Sequence, residues 1–138
     1  MDKKTLLSLL NHKELEIKEL SSKILDIKNE KKAVLDKIDM LKEHIVLLEC
    51  QNAESLAQML HIKGLIFEKI DSIKVLKSHI CSLEDILSQY TQKLKVVYSE
   101  KKGLEKLLER VKSREKKNRI SKENQLADES YLRKFING

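Results

Sequence analysis

Apolar residues return along the first part of the chain at alternating steps of four and three. The series is Leu6, Leu10, Lys13, Ile17, Leu20, Ile24, Ile27, Lys31, Val34, Ile38, Leu41, Ile45 and Leu48, and eleven of these thirteen positions are apolar. A seam sustained over six heptads predicts a coiled coil rather than a lone amphipathic helix. The next two slots are Asn52 and Ser55, where the seam breaks. A second series then runs Ile66, Lys69, Ile73, Leu76, Ile80, Leu83, Leu87, Tyr90, Leu94, Val97, Lys101, Leu104, Leu108 and Val111, with twelve of fourteen apolar. Its continuation is Glu115, Asn118, Lys122, Gln125 and Glu129, so the seam stops after Val111.

Two stripes of nearly equal length joined by a short segment predict an all-α fold: two long helices folded back as an antiparallel coiled-coil hairpin. One domain spans residues 1–138, with helix one at about 3–50, a tip at 51–65 and helix two at about 66–136, unpaired after about 111. In the tip, Ser55 and Gln58 have the spacing of a capping box, and Gly64 suits a helix C-cap. These predict a short separate helix near 55–63. The tail from Lys112 onward, if helical, overhangs the start of helix one by about 40 Å. The same heptads could also pair between chains, so a hairpin monomer and a dimer of long helices both remain open.

Composition narrows the function. The 138 residues include no Pro, no Trp and three Gly, so turn chemistry for sandwiches, barrels or doubly wound sheets is scarce. Charged residues make up 36% and aromatics 4%, which suits long helices and leaves little for a thick core. No apolar run approaches the roughly 18 residues of a membrane span. The apolar N-terminal run ends at Asn11, His12 and Lys13 without a small-residue cleavage site, and is read as mature chain. Cys50 and Cys81 fall off the seam and are too few for a disulfide framework or a zinc site; a reducing cytoplasm is the simplest setting. His12, His44, His61 and His79 are dispersed, with no pair at helical spacing, and neither a phosphate-binding glycine loop nor a nucleophile motif occurs. The expectation is a non-enzymatic protein with no catalytic residues, no metal and no cofactor.

Charge is concentrated. Residues 101–119 carry nine basic side chains against three acids, an excess equal to the formal net charge of the whole chain, +6. The basic set from Arg110 through Lys112, Arg114, Lys116 and Lys117 to Arg119 can face an acidic protein surface, nucleic acid or an anionic membrane, or simply water. A basic zipper places its basic helix before a parallel dimer seam, whereas here it follows the seam. Aromatic platforms for single strands are also scarce, so nucleic acid is disfavoured as a partner. Near the C-terminus, Tyr131 with Phe135 and Leu132 with Ile136 form i,i+4 pairs on one patch, a candidate anchor for a partner's socket. At the tip, Leu60, Ile62, Leu65 and Phe67 close the hairpin end or serve as a second docking site. Lys13, Lys31, Lys69 and Lys101 occupy seam positions, from which long side chains can carry their ammonium groups outward. In the hairpin alignment Lys13 and Lys101 are neighbours, an unfavourable meeting unless it acts against alternative registers.

The stretch Glu100-Lys101-Lys102-Gly103-Leu104-Glu105-Lys106-Leu107-Leu108-Glu109-Arg110, followed by Glu123, Leu126, Asp128 and Glu129, resembles the C-terminal helix of the flagellar export protein FliJ and its injectisome counterparts, the YscO (SctO) family. Members share a Lys/Glu-rich "LEKL-x-ER" stretch, a basic helix and an "LDE"-like element. Here that element is Leu126-Ala127-Asp128-Glu129, with an extra Ala. The resemblance covers about 35 residues and implies a central stalk for type III secretion that enters the pore of a hexameric export ATPase and stimulates or orders it. It further implies a link to the cytoplasmic ring of the membrane export gate and, in some members, binding of secretion chaperones. The implied location is the bacterial cytoplasm, peripheral to the inner membrane, without direct membrane insertion. A generic coiled-coil scaffold, a chaperone escort and a nucleic-acid-associated coiled coil are the alternatives.

Overall fold

The computed structural model describes residues 2–137, excluding the side chain of Asn137. Two long helices pack against each other: α1, Lys3–Glu49, and α2, Leu56–Asn137. No strand occurs among the described residues. Every seam position, from Leu6 to Leu48 on α1 and from Ile66 to Val111 on α2, is buried or half-buried. Among the described residues all eight that are buried lie on the two seams. Water-exclusion along this stripe is the main favourable force, at about 1.5–3 kcal/mol for each fully buried large aliphatic side chain.

The ends of the helices are set locally. Asp2 caps α1: its carboxylate accepts the Thr5 N–H at 2.8 Å, and hydrogen bonding from the Thr5 side chain first, then from this N–H, holds its pKa below the usual aspartate value. The Ser55 hydroxyl accepts the Gln58 N–H at 3.2 Å, while the Gln58 side chain accepts the Glu54 N–H at 2.7 Å. This is the expected box with its return bond shifted by one residue. The expected separate helix at 55–63 and a second helix starting at 66 are not found. α2 begins at Leu56 and runs unbroken through Gly64, whose φ is not positive. The physical reason is that Met59 and Ile62 extend the 4-3 steps backward from Ile66. Met59 is still exposed, but half-buried Ile62 continues the packing past the glycine and offsets part of the roughly 1 kcal/mol that a mid-helix glycine costs.

The intrachain contacts fall into two compact units, residues 19–94 and the residues up to Lys18 with those from Lys95 on. In the first unit Val34, Ile38, Ile73 and Leu83 form the core, flanked by Ile27, Leu41, Ile45, Leu76 and Ile80. Low numbers on α1 pair with high numbers on α2, from Lys23 beside Tyr90 to His44 beside Lys69. Glu30 meets His79 at 3.3 Å, Lys31 meets Glu84 at 3.2 Å, and Lys69 meets His44 at 3.5 Å. Lys23 and Lys93 both lie 5.6 Å from the centroid of the Tyr90 ring. In the second unit Leu6, Leu10 and Leu108 are the core, with Leu104 and Val111 packed on it. The neighbouring seam lysines do not clash there. Lys13 bonds to Glu100 and approaches Glu16 at 3.7 Å, and Lys101 approaches Glu105 at 3.8 Å. The bond to Glu100 raises the Lys13 pKa above 10.5.

Candidate interaction surfaces of helix α2

In the unit containing Lys95 onward, Val111 is the last half-buried residue of α2, and Lys3 of α1 reaches Glu115 at 3.7 Å. Each residue from Lys112 to Ile136 is exposed. Helical rise makes the stretch from Lys112 to Asn137 about 39 Å long. Among the described residues no helix is long and apolar enough to cross a membrane.

Helical spacing distributes the basic residues into two lines. Arg110, Arg114 and Lys117 follow one another at steps of four and three, and Lys112, Lys116 and Arg119 do the same on the opposite side. The six basic positions singled out in the sequence are therefore brought together along the helix yet face two ways. From Arg110 to Arg119 the helix is thus basic on two opposite sides, and farther on Asp128 and Glu123 fall on the same two lines.

The terminal patch lies on the last described turns of α2. Tyr131, Leu132, Phe135 and Ile136 are 56–78% exposed and lie within two turns. One signal was missed in the sequence: the seam register continues past Glu129 to Leu132 and Ile136, whose phase is that of the buried stripe. Among the described residues nothing covers them.

At the other candidate surface the four tip residues divide. Leu60 and Phe67 are 61% and 64% exposed, whereas Ile62 and Leu65 are half-buried. Ile62 joins Leu48, Met59 and Ile66 around a shallow depression beside the connection at Gln51–Ala53. Leu56, Leu60 and Phe67 are aligned by helical spacing and form an exposed ridge, interrupted by Lys63. Cys50 and Cys81 are exposed free thiols. Among the described residues no three metal-ligating side chains gather at one place.

No protein-family model, no curated protein and no solved structure matches the chain.

Proposed function

We propose that the chain is an antiparallel coiled-coil hairpin acting as the central stalk of a type III secretion ATPase, flagellar or injectisome. The observation that carries this reading is the overhang of α2: about 39 Å of exposed helix, basic on opposite sides and ending in an aromatic-aliphatic patch. A helix of this kind gains little from its own chain. The remaining binding capacity suits a ring that offers negative charge along its pore and an apolar socket farther in.

The stalk is non-enzymatic. Arg110, Lys112, Arg114, Lys116, Lys117 and Arg119 would meet the pore wall of the hexameric ATPase, and Tyr131, Leu132, Phe135 and Ile136 would anchor the end. One asymmetric helix cannot satisfy six subunits at once. Subunits that it contacts differently acquire different nucleotide affinities, which biases the order of hydrolysis through differential binding. The tip ridge, with Leu60 and Phe67 outermost, would engage the cytoplasmic ring of the export gate, and secretion chaperones are further candidate partners. The work is done in the bacterial cytoplasm at the inner membrane, without insertion into it and without nucleic acid.

The test is steady-state ATP hydrolysis by the secretion ATPase of the same organism, titrated with the full chain and with residues 1–111. Stimulation saturating near one chain per hexamer and lost on truncation is expected. Equal stimulation by the truncated chain would remove the tail from the mechanism. No binding by either would leave a tether between two other partners as the better account.

A further inference from the structure

We propose that one longitudinal face of α2, from Val96 to Phe135, is a single contact line for a protein groove with acidic walls at its middle and apolar pockets at both ends. Steps of three and four residues lead from Val96 through Glu100, Gly103 and Leu107 to Arg110, Arg114 and Lys117. The same steps continue through Ser121, Asn124 and Asp128 to Tyr131 and Phe135. The line is about 58 Å long. Its chemistry is ordered. Val96 and Leu107 are exposed near one end, three basic residues follow, and two exposed aromatics close the other end. Of the two acids on the line, Glu100 is already held by Lys13, and Asp128 stands one step before Tyr131.

Gly103 supplies an independent reason to place a partner here. A mid-helix glycine is disfavoured relative to alanine, and this one has no positive φ to require it. A Cβ built on Gly103 meets nothing within 4 Å. No contact inside the chain accounts for the glycine, but it leaves a notch where a partner's backbone can approach the helix closely. The opposite face runs from exposed Tyr98 through Lys102, Glu105 and Glu109 to Lys112, Lys116 and Arg119, then through Glu123, Leu126, Ser130 and Arg133. Acids flank its basic run, it has no glycine, and its far end is polar. A bilayer would be met by a continuous apolar stripe, and nucleic acid has no use for apolar ends. Charge in the middle with apolar residues at each end is protein-binding chemistry.

The inference rests on the stalk reading, with the groove supplied by the wall of the ATPase ring. The experiment measures binding of full-length variants to that hexameric ATPase, with far-UV circular dichroism confirming helix content. The triple variant Arg110→Gln, Arg114→Gln, Lys117→Gln should weaken binding about tenfold or more, as expected for losing several charge-assisted contacts. The triple Lys112→Gln, Lys116→Gln, Arg119→Gln removes the same charge from the side that meets the pore wall outside the groove, and should weaken binding by a clearly smaller factor. Gly103→Leu should raise the melting temperature yet weaken binding, because leucine favours the helix and fills the notch. Equal losses from the two triples, or unchanged binding by Gly103→Leu, would overturn the contact line while leaving the stalk reading intact. Failure of the unmodified chain to bind the ATPase would overturn both.

Discussion

Residues 95–111 and 112–137 belong to one unbroken helix, in one compact unit, and differ in almost everything else. The first stretch sets Val97, Leu104, Leu108 and Val111 at seam steps, with Leu108 in a core shared with Leu6 and Leu10. In the second, seam steps fall on Glu115, Asn118, Lys122, Gln125 and Glu129, and every described side chain is exposed. Secondary structure alone would call these the same. The difference lies in what each part can gain from its own chain. The paired stretch is stabilised by burial, whereas the overhang has only local hydrogen bonds and ion pairs such as Lys3–Glu115. Its side chains remain available to others, and for this reason the functional proposals concentrate there.

The comparison is broken most directly by truncating one apolar side chain in each stretch. Leu6→Ala removes the most buried of the described side chains, 1% exposed, from the core it shares with Leu108. Large-to-small changes at such sites cost about 2–5 kcal/mol, and thermal unfolding followed by circular dichroism should show a large drop in midpoint. Leu132→Ala sits at the same heptad phase but is 56% exposed, and should change stability by no more than about 0.5 kcal/mol. If Leu132→Ala destabilised the chain as Leu6→Ala does, the end patch would have a partner within the protein or in a second copy, and its role as a free anchor would fail.

A smaller effect is expected at the start of α2, where the Ser55 hydroxyl accepts the Gln58 N–H. Ser55→Ala should lower stability by about 1 kcal/mol. Amide exchange should quicken from Leu56 to about Met59 and not beyond Gly64. Protection that changed abruptly at Gly64 instead would mean that the glycine divides the helix after all.

The contrast between Gly64 and the two seams shows how far residue pattern alone reaches. The 4-3 series locates both seams to the residue, and the loss of apolar character after Val111 locates the overhang, because burial on a narrow stripe leaves a strict periodic trace. Gly64 misleads because a glycine near a helix end has two explanations, cap or tolerated interior residue, which local composition does not separate. Met59 and Ile62 decide between them by carrying the register back toward Leu56. For the candidate surfaces, the residue types of the overhang are legible in the sequence but their division into two faces is not. That division becomes plain only when the continuous helix gives each residue its angular position, and with it the line shared by Gly103, Arg110 and Phe135.

The smallest expected effect concerns Lys13, a charged residue in a seam slot that the apolar pattern alone would fill with leucine. Its ammonium group bonds to Glu100 across the helices and also approaches Glu16, and the first of these contacts chiefly raises its pKa in the folded chain. The sign of the pH effect follows. A raised pKa means that folding favours the protonated lysine. The resulting stabilisation is complete below the unfolded value of 10.5 and disappears as pH rises through the higher folded value. Glu100→Gln removes the cross-helix partner. Between neutral pH and 10.5 the unmodified chain should therefore melt slightly above the variant, with the gap closing at higher pH. Salt should narrow the gap as well, since the pair is open to solvent. A gap that stayed constant through pH 11–12 would show that Glu100 acts through packing rather than charge, and that Lys13 holds its seam position as an aliphatic stem.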